Sequence, residues 1–138
     1  MRVRISKASI ESEVLKEVEE LSGENVWACY QCGCCSAGCP FSFAMDLFPN
    51  QVIRLLHLGQ EEDVFRSNTI WLCASCLTCV TRCPRGVDLS RINEALRDVA
   101  MKRGKGRPDH FGPADVEPEQ RKDAPPQGII SAFRKFCI

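Results

Sequence analysis

The 138-residue chain has no surplus of charge, since eighteen Lys and Arg stand against eighteen Asp and Glu. Without a basic block it lacks the usual means of holding nucleic acid through its phosphates. It also lacks long apolar runs. A membrane helix needs roughly 18 apolar residues, and the best candidate, VIRLLHL, carries Arg54 and His57. The opening MRVRISKASIESE has no apolar stretch of the kind a secretory signal uses. The expectation is a cytoplasmic chain with no direct membrane insertion and no nucleic-acid partner. Histidine is scarce. Neither His57 nor His110 has an acid or a nucleophile patterned around it. Ser-His-Asp sets, phosphate loops and dinucleotide fingerprints are missing too, because Gly33, Gly38, Gly104 and Gly106 lie outside such contexts. A chain of this length predicts one small domain with a tail.

What the chain has in abundance is cysteine, ten in all. With no secretory signal, so many thiols belong to a reducing compartment, where they serve as metal ligands more often than as disulfides. Their positions are 29, 32, 34, 35, 39, then 73, 76, 79, 83, and an outlier at 137. The second group, CASCLTCVTRCP, reads C-x2-C-x2-C-x3-C-P through Cys73, Cys76, Cys79, Cys83 and Pro84. The first, CYQCGCCSAGCP, has the same spacing through Cys29, Cys32, Cys35, Cys39 and Pro40. Each residue is displaced by 44 positions from its counterpart, and Val26 and Trp27 map onto Ile70 and Trp71. The chain contains an internal duplication.

The spacing has a chemical reason. Three thiolates at i, i+3 and i+6 on a tight loop wrap three irons of a cubane cluster. The fourth, followed by a proline that turns the chain away, commonly ligates the other cluster. The pattern therefore predicts two 4Fe–4S clusters with crossed ligation. One is held by Cys29, Cys32, Cys35 and Cys83, the other by Cys73, Cys76, Cys79 and Cys39. Structural zinc is the rival reading, but it usually takes two C-x2-C pairs a dozen or more residues apart. Cys34 maps onto Thr78, so the repeat treats it as a spare thiol. Cys137 is expected to be buried or at an interface, because a prenylation box needs its cysteine four from the end.

Around these loops the pattern is helical. Ser9 is expected to cap a helix through Ile10, Val14, Val18 and Leu21, ended by Gly23. Pro49 opens a second helix with Val52, Ile53, Leu55 and Leu56 inside, and residues 60–66 add a turn or two. Ser90 caps the clearest helix, whose buried stripe is Ile92, Ala95, Leu96, Val99 and Ala100 before Gly104. Val3 and Ile5 are candidates for a short strand. Residues 1–103 thus read as a mostly α domain. Residues 104–128 are a linker rich in proline and charge, and 129–138 an apolar segment suited to docking. Trp27 and Trp71, two residues ahead of each first ligand, are expected to shield the clusters from water. Gly33 and Gly38 let backbone approach iron and sulfide, and Arg82 and Arg85 flank Cys83 beside an anionic cluster. Loaded with both clusters, the protein is expected near a charge of about −4. Four thiolates per cluster leave no open iron, so the chemistry predicts an electron relay and no catalytic residue.

Two such motifs 44 residues apart with helices between them resemble the alpha-helical ferredoxin domain. More specifically, CYQCGCCSAGCP followed by MDLFPNQVIRLLHLG and SNTIWLCASCLTCVTRCPRGVDL resembles the family of the heterodisulfide reductase C subunit. The resemblance covers about residues 1–103 and departs at Cys34, where a non-cysteine is expected. It implies a heterodisulfide reductase complex in which this protein takes electrons from an A-type flavoprotein and hands them to a B-type catalytic partner. The same module occurs fused to cysteine-rich CCG domains, but only Cys137 follows Cys83 here, so the catalytic cluster is expected on a partner. An iron–sulfur redox sensor and a relay to a membrane quinone-reactive protein are the alternative readings.

Overall fold

The computed structural model describes residue 10 and residues 12–105, all within Met1–Arg107, the first of two units into which the chain divides. The expectations for Ser9, Val3, Ile5, His110, Cys137 and the segments 106–128 and 129–138 lie outside the described residues. Among the described residues there are helices and no strand. They are α1 (Glu13–Ser22), α2 (Cys34–Gly38), α3 (Pro49–His57), α4 (Glu61–Arg66), α5 (Thr69–Leu72), α6 (Thr78–Arg82) and α7 (Leu89–Lys102). Short 3-10 turns at Val26–Ala28 and Ser42–Ala44 complete the path.

The helix ends follow local chemistry, and the start of α7 corrects an expectation. The cap of α1 is Ser12, whose hydroxyl accepts from Leu15 N at 3.1 Å. From there the inward face runs Val14, Leu15, Val18 and Ser22, and Leu21 points to solvent at 47% exposure. The cap of α7 is Asp88 rather than Ser90. Its Oδ1 accepts from the N–H groups of Ser90 and Arg91, and Ser90 adds its own hydroxyl at 2.6 Å. A carboxylate also complements the positive end of the helix better than a hydroxyl does. The stripe Ile92, Ala95, Leu96, Val99 and Ala100 is buried as expected. In α3, Val52, Ile53 and Leu56 are buried and Leu55 is half-buried.

One core unites both halves of the repeat. α1 packs on α7, α5 also packs on α7, and α3 packs on α4. Val18, Val26, Val52, Leu56, Val64, Ile70, Ile92, Leu96 and Val99 meet there with 2% exposure or less. The short helices α2 and α6, which begin at Cys34 and its counterpart Thr78, pack on each other. The two motifs therefore face one another across the repeat.

Asp46 joins the halves by polar contacts. Asn68 N donates to both of its carboxylate oxygens at 3.1 and 3.0 Å, and Leu47 N donates at 3.0 Å. Thr69, fully buried, has its hydroxyl within 2.9 Å of Asp46 Oδ1 and accepts from Leu47 N at 3.0 Å. Burial pushes the Asp46 carboxyl up, but the bonds from Asn68, Thr69 and Leu47 outweigh it and hold the group below the usual aspartate range. A folded-state pKa below the unfolded value adds stability above about pH 4, which is lost as pH falls through the lower folded value. Asp46→Asn is therefore expected to melt below the parent at neutral pH, with the gap closing below about pH 4. Parallel melting curves at every pH would contradict this.

Candidate iron–sulfur centres

Each half builds its cysteine loop with the same backbone. Gln31 and Ser75 have φ of 65° and 53°, and two residues later Gly33 and Leu77 have φ of 80° and 62°. Two left-handed residues in each loop turn the chain so that the second and third cysteines face one side. Gly33 adopts this at no steric cost, whereas Leu77 carries a strain on the order of 1–2 kcal/mol. The following helix, α2 or α6, then presents Cys35 or Cys79, and its C-terminal cap is Cys39 or Cys83.

The chain positions these loops from behind in the same way twice, and periodicity gives no hint of it. Val26 and Ile70, equivalent in the repeat, are fully buried. His57 Nε2, at the end of α3, lies 2.9 Å from the carbonyl of Val26 and in its Nε2–H tautomer donates to it. Arg97 Nη1, from α7, donates to the carbonyl of Ile70 at 2.8 Å. Trp27 stacks on His57 with ring centroids 4.7 Å apart and planes 6° from parallel. It is about half exposed, whereas Trp71 packs against the core. Neither indole is in the lining of the cavities described next, and Trp27 braces His57.

Two cavities open beside the motifs. The first is lined by Cys29, Cys32, Gly33, Cys35, Asn50 and Ile53, together with Cys83, Val87 and Leu89. The second is lined by Cys73, Cys76 and Cys79, by Cys39 from the other motif, and by Phe41, Met45, Pro49, Leu89 and Asn93 among others. Each thus gathers three cysteines of one motif and the last cysteine of the other. Leu89, 3% exposed, is a wall of both. Among the described residues, no three His, Cys, Asp or Glu side chains converge as they must around a single metal ion. The thiols stand around larger, mostly apolar spaces.

The electrostatics repeat as well. In each half the second cysteine is exposed and its thiol is held low. At Cys32 the backbone and side chain of Cys34 do this, and at Cys76 the hydroxyl and backbone of Thr78, whose Oγ1 lies 3.4 Å from the sulfur. Cys34 thus takes the place that Thr78 has in the other half, and lines neither cavity. In each half burial pushes the third thiol up, both at Cys35 and, to about 11, at Cys79, where Cys73 adds to the effect. Further polar contacts reach the sulfurs, from Val87 N to Cys83 at 3.3 Å and from Gln31 Nε2 to Cys29 at 3.5 Å. Four soft ligands and apolar walls at each site, with a backbone and a side-chain donor at sulfur in the first, fit tetrathiolate iron–sulfur clusters. Arg82 lies against Gly38, where a Cβ would sit 2.4 Å from its Cδ. Arg85 Nε donates to the carbonyl of Ala28 at 3.4 Å.

Known proteins support the same chemistry. Residues 25–87 match the family model of a 4Fe-4S dicluster domain, which carries two such clusters. The chain is 41% identical over 91 residues to the iron-sulfur C subunit of the CoB--CoM heterodisulfide reductase of Methanopyrus kandleri, covering 66% of this chain and 46% of that one. It is 30% identical over 106 residues to the C subunit of the H(2):CoB-CoM heterodisulfide,ferredoxin reductase of Methanothermobacter marburgensis, covering 77% and 57%. With the second iron-sulfur C subunit of the Methanocaldococcus jannaschii CoB--CoM heterodisulfide reductase it shares 37% over 97 residues, covering 67% and 52%. The chain spans about half the length of these relatives. No helix among the described residues is long and apolar enough to cross a membrane.

Proposed function

The chain belongs among the homologues of the heterodisulfide reductase C subunit and carries a 4Fe-4S dicluster domain, and on that premise we propose that it is the electron-transfer component of a cytoplasmic heterodisulfide-reductase-like complex. Cys29, Cys32, Cys35 and Cys83 hold one cluster, and Cys73, Cys76, Cys79 and Cys39 hold the other. The observation that carries this reading is the lining of the two cavities, in which each motif lends its last cysteine to the other's space. When bound, each cluster accepts and returns a single electron. The chain's own residues do the rest. Ile53, Val87 and Leu89 keep water from the first site, and Phe41, Met45 and Leu89 from the second. Leu89 lines both spaces, which places the two sites side by side and supports transfer between them.

The outer partners are an A-type flavoprotein on the donor side and a B-type catalytic protein that reduces the disulfide-type substrate. An exposed apolar group beside the second site supports a contact there. Phe41 lines that site, and Phe43, Phe48 and Leu77, all exposed, lie within two residues in sequence of residues that line it, with Phe43 87% exposed. Large apolar side chains left in water in this number mark a surface that another protein covers.

Cys76 is a suitable residue for the test, because it is exposed at the mouth of its loop and its loss leaves the core intact. In the purified complex, Cys76→Ser is expected to reduce electron flow from the flavoprotein to the catalytic partner to background while the components still copurify. Normal flow in that variant would sink the proposal.

A further inference from the structure

Asn93 lies on α7 and is 2% exposed, yet its Oδ1 has no hydrogen-bond partner. It is also part of the wall of the second cavity, beside Cys39, Cys73, Cys76 and Cys79. Buried amides in folded proteins are nearly always bonded, so one left over at a site calls for an explanation. The first cavity also has an amide in its wall, Asn50, and that one is engaged. Its Oδ1 accepts from Ser36 Oγ at 2.6 Å and its Nδ2 lies 3.4 Å from Gln31 Oε1. The two cavities therefore differ at this point. One cavity has a wall amide whose oxygen is tied to the protein, the other a wall amide whose oxygen has no protein partner.

We propose that Asn93 is a positioning residue for the second cluster. With its amide turned about Cβ–Cγ so that Nδ2 faces the cavity, it donates a hydrogen bond to a sulfur of the cluster or of a ligating thiolate. The turn costs little, because the two ends of the amide are nearly the same size and shape. The direction follows from charge. A carbonyl oxygen aimed at anionic sulfur is repelled, whereas an N–H is attracted. Reduction adds one electron and breaks no bond to the protein, so the more negative reduced form gains most from the donor. The hydrogen bond therefore raises the potential of that cluster alone. Asn93 makes the two clusters unequal and favours the electron's residence on the second. This inference rests on the two-cluster reading above.

The test uses the full chain loaded with both clusters, titrated with dithionite through mediator dyes and followed by EPR. Asn93→Leu, similar in volume but without a donor, is expected to lower one midpoint and leave the other in place. A tenfold change in the reduction equilibrium corresponds to about 59 mV for one electron. Pulsed EPR of the parent in heavy water is expected to show an exchangeable deuteron coupled to that cluster, missing in the variant. If leucine prevents loading, Asn93→Ala carries the same expectation. Midpoints that both stay, or both fall together, with the deuteron coupling retained, would overturn the role of Asn93 alone. A parent chain that holds no pair of clusters would instead overturn the reading on which it rests.

Discussion

Replacing Cys29 and Cys83 together by alanine is expected to leave one cluster intact, although the pair removes a cysteine from each motif. Under crossed ligation both residues belong to the same cluster, so about four irons of about eight remain. If instead each motif held its own cluster, the same double change would damage both, and iron would fall toward zero. Cys39→Ala with Cys73→Ala is the matching pair and is expected to behave alike. Cys29→Ala with Cys73→Ala breaks one cluster of each kind and is expected to empty the protein. The effect is large because a cluster left with only two or three thiolates has iron open to solvent, and oxidation then strips the cube. Iron analysis with EPR on the reduced protein measures all three. Loss of both clusters in the Cys29/Cys83 pair would refute crossing. The same experiment shows how much the domain depends on its metal, since crossing makes each cluster a staple between the halves.

The cofactor was legible in the sequence because thiolate chemistry is local. Three ligands must fall within seven residues to wrap one cube, so Cys29, Cys32 and Cys35 announce themselves. The duplication was legible for the same reason, and the paired left-handed turns at Gln31, Gly33, Ser75 and Leu77 show that it extends to the backbone. Helix interiors followed from the periodicity of Val52, Ile53 and Leu56 and of Ile92, Leu96 and Val99. Helix starts did not, because several residues near each start are able to cap. Asp88 and Ser90 are both good capping residues two positions apart, and it is Asp88 that accepts from the N–H groups of Ser90 and Arg91 while the Ser90 hydroxyl donates to it. The braces behind the loops left no trace in sequence. His57 meets Val26 across 31 residues and Arg97 meets Ile70 across 27, and such contacts have no period. Asn93 is similar. On a helical wheel it lies next to the apolar stripe and reads as a tolerated polar residue, and only the cavity beside it shows what it faces.

Arg97 is where that hidden layer has its largest expected effect. The residue is nearly buried, at 5% exposure, and its guanidinium donates to the carbonyl of Ile70 at 2.8 Å. Ile70 precedes Trp71 and Cys73 by one and three residues, so this bond fixes the height at which the second motif leaves the core. Removal of the side chain leaves a buried carbonyl unpaired and empties the space of its stem. A hydrogen bond from a charged group contributes about 1.5–3 kcal/mol, and the lost packing adds to this. Against a total of about 5–15 kcal/mol for a domain, the expected drop in melting temperature for Arg97→Ala is about 10–20 °C. His57→Ala is the internal comparison. Its bond to Val26 is neutral, worth about 1 kcal/mol, and its stack on Trp27 about as much again. The first half is therefore expected to tolerate loss of its brace better than the second. Melting followed by circular dichroism and by cluster absorbance at one fixed scan rate compares the two, because loss of iron makes the unfolding irreversible. If Arg97→Ala melts within a degree or two of the parent, the carbonyl is held by something else and the parallel between the two braces fails. If it melts far below and loses the second cluster first, the bond behind the loop governs how well the loop keeps its iron.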